Sequence, residues 1–86
     1  MKWVDIRRRF PHQWLLVEAT QAHSHEDRRI VEELAVVECF DDGQSAMQGY
    51  SDLHRREPQR ELYVIHTDRE ELVITELNWL GIREAS

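Results

Sequence analysis

Between Phe40 and Thr67 the hydrophobic pattern changes period twice. Asp41-Asp42-Gly43 comes first and reads as a turn, since short acidic side chains bond their own backbone and Gly accepts positive φ. Ala46, Met47, Tyr50, Leu53 and His54 then recur at three- and four-residue spacings, which marks one face of a helix. Ser45 is placed to cap that helix with its hydroxyl, and Gln48 three residues later completes a capping-box pattern. Gly49 inside the helix costs about 1 kcal/mol relative to Ala; a close approach of helix to sheet is a reason to keep it. Arg55 and Arg56 complement the negative end of the helix dipole. Pro58 disfavours helical geometry at Glu57 and stops the helix there. Leu62-Tyr63-Val64-Ile65 follows, apolar on both faces, which predicts a central strand with neighbours on each side and the helix packed across it.

Upstream, Trp3, Ile6 and Phe10 share one side of a short N-terminal helix that Pro11 ends. This segment is read as a lid over the core or, alternatively, as a dimer contact. Gln13 to Ala22 has the aromatic and β-branched character of a strand, and the polar run from His23 to Asp27 reads as a connection. Residues 28–40 fit two patterns. Ile30, Val31, Leu34 and Val37 suit a helix face leading into a short strand. Ile30, Leu34, Val36 and Phe40 suit one side of a long strand paired in a hairpin with the first, and a bulge accounts for the imperfect alternation. The hairpin is the reading adopted. Leu72 to Thr75 predicts a fourth strand. Leu77, Trp79, Leu80 and Ile82 form a last apolar cluster, and residues 83–86 are expected to fray.

The expected architecture is therefore α+β in one domain spanning 1–86: an antiparallel sheet of about four strands with one main helix on it, a ββαββ core preceded by a short helix. One main helix leaves the second sheet face to be covered by the terminal segments or by another copy. A homodimer is expected, with Trp3, Phe10 and Trp79 as candidate interface residues.

Composition narrows the function classes. Seventeen acidic against eleven basic residues give a net charge of −6, which opposes general nucleic-acid binding. Arg7-Arg8-Arg9 is the only basic run. No apolar run approaches the ~20 residues of a membrane span, and charges interrupt the N-terminus too early for a signal-peptide core. Cys39, the single cysteine, allows no internal disulfide and no CxxC motif, so a reducing cytoplasm is the expected compartment.

Phe10-Pro11-His12-Gln13-Trp14 followed by an apolar strand resembles the opening of small bacterial proteins without an assigned activity that carry an aromatic-Pro-x-x-Trp pattern. The helix and Glu61-Leu62-Tyr63-Val64-Ile65-His66-Thr67 are similar as well, so the resemblance runs from about Trp3 to Ile82. Some members resemble products encoded beside retropepsin-like aspartic proteases, which implies a protein partner. The resemblance carries over no catalytic residue. The Asp-Thr/Ser-Gly triplet of such proteases is missing, and Asp41-Asp42-Gly43 does not match it.

Several constellations bear on chemistry. His23 and His25, two residues apart on a strand, face one side and offer two ligands to a metal ion; a closed site needs more, from His12, His54 or His66. Cys39 and His66 would make a thiolate–imidazole pair if their strands were adjacent, although a lone cysteine in an apolar strand usually acts as a small hydrophobe. Glu32-Glu33 and Glu70-Glu71 read as solvated faces. Arg55, Arg56 and Arg60 offer an anion contact, against the plainer roles of dipole complement and surface charge. The favoured function is a small non-catalytic interaction protein, either a homo-oligomer or a partner subunit, with no catalytic residue, no cofactor and no metal. The alternatives are a small-ligand or metal-binding protein using His23 and His25, and an antitoxin-like regulator whose acidity suits a basic toxin.

Overall fold

The computed structural model describes residues 1–72, 74 and 75, the last two by backbone alone. In chain order the elements are α1 (Trp3–Arg9), β1 (Trp14–His25), β2 (Arg28–Phe40), α2 (Gly43–Arg56), β3 (Leu62–His66) and the two-residue β4 (Ile74–Thr75). The protein is α+β. Three antiparallel strands in the order β3-β1-β2 form the body of the sheet, and β4 adds a short bridge to Arg28 and Arg29 on the far edge of β2. The predicted fourth strand falls partly outside the described residues, as do the cluster around Trp79 and the tail. No helix among the described residues is long and apolar enough to cross a membrane.

Residues 28–40 are strand throughout, antiparallel to β1. The pairing shifts register between Leu16 and Val17 and again on both sides of Gln21. These irregularities explain why the apolar residues of this segment depart from a clean period of two and also suit a helix face. β1 also runs further than its sequence suggests, through His23, Ser24 and His25. Only Trp14 to Glu18 pair with β3. Beyond them β1 and β2 continue as a hairpin without β3, joined by β4 at Arg28 and Arg29 and exposed along most of the β1 side from Thr20 to His25, so polar residues fit there as well as in a loop. Glu26 closes the ribbon with a left-handed φ of 57°.

Helix α2 begins three residues earlier than expected. Its cap is Asp42, whose Oδ1 accepts the Ser45 N–H at 2.7 Å. That bond holds the Asp42 carboxyl below its usual range. Ser45 becomes a partner of the cap, and Gln48 bonds forward to Asp52 at 3.2 Å. An Asp is as good an N-cap as a Ser, and the earlier start gives the helix the shorter turn.

The sheet has two cores. On one face Ile6 of α1 is fully buried among Leu15, Val17, Leu34, Tyr63 and Ile65, with Trp3 and Phe10 packed at the margin. On the other face α2 sets Leu53 against Leu16 and Leu62, flanked by Val37, Phe40, Tyr50 and Val64. Helix α1 is thus the lid over the second face. The lid is pinned by Trp3 Nε1, which donates to Arg69 O at 2.9 Å, and by Arg7 Nε, which donates to Thr67 O at 2.9 Å.

Gly49 lies where α2 passes over Phe40. A Cβ at this position would sit 2.5 Å from Cζ of the Phe40 ring. We expect Gly49→Ala to lower the denaturation midpoint although Ala is the better helix former by about 1 kcal/mol, because the half-buried ring must move out of its packed position. Combining Gly49→Ala with Phe40→Leu should recover stability relative to Phe40→Leu alone. Additive losses in that double-mutant cycle would mean the two residues do not compete for the same space.

Candidate functional site

The chemical candidates separate in space. His23 contacts the Glu32 carboxylate across the ribbon, while His25 is exposed beside the turn. Among the described residues no group of three or more His, Cys, Asp or Glu is arranged to hold a metal ion. The Cys39–His66 pair does not form, because β1 separates their strands. Cys39 pairs with Leu15 and His66 with Trp14, neighbouring positions on β1 that face opposite sides of the sheet. Cys39 is exposed.

His66 has other neighbours. Its ring stands edge-on to Trp14 at 5.1 Å, and its Nδ1 accepts the Asp68 N–H at 3.1 Å. Asp68 also meets His12 Nδ1 at 2.7 Å. The His66-Asp68 half of this corner was legible as a two-residue spacing in a turn. The His12 half depends on a left-handed φ of 54°, for which a histidine beside proline gives no signal.

The arginines at the end of α2 are occupied. Arg60 Nε and Nη2 donate to Glu18 Oε1 at 3.1 and 2.7 Å, and its Nη1 reaches Glu57 at 3.4 Å. Arg55 lies 3.7 Å from Asp52. Arg56 Nε donates to the Asp52 carbonyl at 3.4 Å. Arg55 and Arg60 thus meet local acids, and Arg56 meets a backbone carbonyl of its own helix.

A second ion pair spans the sheet. Arg29 Nε and Nη2 donate to Glu61 Oε2 and Oε1 at 2.9 and 2.8 Å, and the Tyr63 hydroxyl donates to Oε2 at 2.5 Å. The bidentate guanidinium holds the Glu61 carboxyl below its usual range. Burial, and then the hydrogen bond to that carboxylate, push the Tyr63 phenol well above its usual range. The ionised carboxylate, the bidentate guanidinium and the phenol bonded to it form a clamp across the sheet.

The remaining feature is the outer edge of β3. Its sequence predicts a central strand, yet among the described residues β1 is central and β3 lies at the end of the sheet. The apolar character on both faces has a different cause: α1 covers Tyr63 and Ile65, and α2 covers Leu62 and Val64. Ala19 N donates to Glu61 O and Thr67 N to Gln13 O, both at 2.9 Å. Residues 61 and 67 therefore turn their backbone groups toward β1. Antiparallel alternation then turns those of Tyr63 and Ile65 inward and those of Leu62, Val64 and His66 outward.

Helix α2 borders this edge. Gly49 faces Phe40 of β2, and a helix turns about 100° per residue, which places Tyr50, His54 and Met47 about 100°, 140° and 160° round from it on the opposite flank. That flank lies toward β3. Met47 is 49% exposed there, and the Tyr50 and His54 rings stack in parallel at 5.4 Å. The apolar stripe read from the sequence is thus wider than the part α2 buries: Ala46 and Leu53 enter the core, and Met47 and His54 do not.

Of the three residues expected at an interface, Trp3 and Phe10 are partly buried against the α1-side core. Trp79 lies outside the described residues. Comparisons with protein-family models, with curated proteins and with solved structures find no match.

Proposed function

We propose that the chain is a non-catalytic interaction protein whose working surface is the outer edge of β3 with the Met47–Tyr50–His54 flank of α2. The observation that carries this reading is that, among the described residues, no strand lies beyond β3 and its own five residues carry no charge or proline. Edges that face water in folded proteins are blunted by Lys, Pro, bulges or inward charges, and Leu62-Tyr63-Val64-Ile65-His66 has no Lys, no Pro and no acidic residue. An extended segment from another chain would hydrogen-bond the outward backbone groups of Leu62 and Val64, the His66 carbonyl already accepting from Arg69 N, and pack on Met47, the mode known as β-augmentation. In this reading Trp3 and Phe10 act as the lid, the two-residue β4 completes the ββαββ order, and the cytoplasm remains the proposed compartment. No cofactor or catalytic residue is assigned.

The test is the assembly state in a cell extract. The wild-type chain should elute well above its 10.3 kDa mass. Met47→Glu, a substitution at an exposed helix position, should return it to the monomer position with an unchanged circular dichroism spectrum. Elution of wild type as a monomer, or an assembly indifferent to Met47→Glu, would overturn the reading.

A further inference from the structure

We propose that His12 is a modification site whose Nε2 accepts a phosphoryl group from a small phosphoramidate donor. The inference does not depend on the edge-interaction reading above; it concerns the corner between the end of α1 and the start of β1.

Hydrogen bonding fixes which nitrogen of the ring is bare. His12 Nδ1 lies 2.7 Å from Asp68 Oδ1. A carboxylate only accepts, so in the neutral ring the proton sits on Nδ1 and the Nε2 lone pair is left without it. The His12 side chain is 83% exposed, which opens that nitrogen to a donor in solution. Asp68 is itself held in place. Its backbone N–H donates to His66 Nδ1 at 3.1 Å, and the preceding Thr67 carbonyl is tied to α1 by Arg7. His12 also takes a left-handed φ of 54° directly after Pro11. That conformation is strained for a residue with a Cβ, and such strain collects at functional sites.

The other four histidines each lack part of this arrangement. His66 accepts at Nδ1, so its neutral ring carries the proton on Nε2. His54 stacks on Tyr50 and His25 is exposed, and among the described residues neither meets a carboxylate. His23 does face a carboxylate, that of Glu32, but it is less exposed at 57% and lies on extended strand backbone. The next arginine along its ribbon, Arg29, is bound to Glu61 and Ser24.

Cations complete the His12 site. Arg8 and Arg9 are exposed and, among the described residues, have no ion-pair partner. They precede His12 by four and three residues, and three residues span at most about 11 Å between Cα atoms. The Arg9 guanidinium can therefore reach a group carried on the ring. A phosphoryl group adds about 1.5–2 negative charges and three acceptor oxygens, which suit the fork of an arginine.

In the transfer, the Nε2 lone pair forms a new P–N bond as the P–N bond of the donor breaks. The leaving nitrogen, already protonated in the donor, takes that electron pair and departs as a neutral amine. His12 keeps its Nδ1 proton, so the ring becomes cationic with Asp68 facing the new charge, the part a carboxylate plays behind an imidazole.

Incubating the purified protein with potassium phosphoramidate tests the proposal, with the acid-labile adduct located by mass spectrometry and its ring position by phosphorus NMR. His12 should be phosphorylated on Nε2 at least about tenfold faster than His23 or any other histidine. Asp68→Asn should slow the reaction about tenfold or more, the usual loss when the group orienting an imidazole is changed. Arg8→Gln combined with Arg9→Gln should slow it as well. All three positions are exposed, so circular dichroism should stay unchanged. His12→Asn, whose new side chain tolerates the same backbone, should remove the adduct. Labelling spread evenly over the five histidines, a His12 rate indifferent to Asp68→Asn, or no adduct at all would each overturn the proposal.

Discussion

Replacing Ile65 by Asp leaves the domain unfolded at room temperature. Ile65 is 6% exposed and sits in the α1-side core against Leu15, Val17 and Tyr63. Two costs combine at this position. Deleting a buried aliphatic side chain costs about 2–5 kcal/mol, and the new carboxylate, with no cation beside it, adds several more unless it protonates. Domains have a total stability of about 5–15 kcal/mol, and one this small belongs near the lower end. The neighbouring Val64→Asp should be milder, because Val64 is half-buried on the α2 side. Near-ultraviolet circular dichroism reports on the three tryptophans and would lose its fine structure in Ile65→Asp alone. A cooperative melt of that variant within a few degrees of wild type would show that the core has been misplaced.

The second large effect is a dependence of stability on pH at both ends of the scale, centred on the Arg29–Glu61–Tyr63 clamp. The Glu61 carboxyl titrates lower in the native state than its ordinary 4.5. The native state therefore binds fewer protons there than the unfolded state, and the stabilisation is present above pH 4.5 and lost as pH falls through the native value. Tyr63 has the opposite sign. Its native pKa lies above the ordinary 10.0, so its contribution is full below pH 10 and declines as pH rises from there toward the native value. Glu61→Gln should cost about 1–2 kcal/mol at neutral pH, the value of a charge-assisted bond discounted for partial exposure. It should also flatten the acid limb. Tyr63→Phe should be milder at neutral pH and should remove the alkaline decline. Urea denaturation across the pH range measures all three. Parallel curves for wild type and Tyr63→Phe above pH 10 would exclude the phenol as the source.

Particular residues show what was legible in the sequence. Helix α2 and strand β3 follow from local rules: a period of about 3.6 closed by Pro58, then a short run apolar on both faces. The packing of Gly49 was legible as a cost that needed a reason, and the Phe40 ring is that reason. The strand state of residues 28–40 was legible only as one of two patterns, because bulges mix the faces. What local sequence does not encode is which elements become neighbours. The position of β3 at the end of the sheet, the separation of Cys39 from His66, and the meeting of His12 with Asp68 all depend on strand order. The reach of α1 was underestimated for a geometric reason. A seven-residue helix can cover a face only three strands wide when Trp3, Ile6 and Phe10 project from one side of the segment. The second copy once invoked to cover that face is therefore not needed there, and a proposed partner is better placed at the edge.

Helix α1 also constrains how the chain folds as it is synthesised. It is synthesised before the strands it packs on, and nearly everything it binds is made later. The Met1 carbonyl accepts from Leu34, Arg7 donates to the Thr67 carbonyl, and Trp3 donates to that of Arg69. Domains emerge at about 5–20 residues per second, so for several seconds Ile6, Trp3 and three consecutive arginines are exposed on a nascent chain with nowhere to dock. The β1–β2 hairpin can close during that interval and α2 can follow, but the α1-side core stays open until β3 emerges. Of the elements described, the one made earliest is among the last to reach its place.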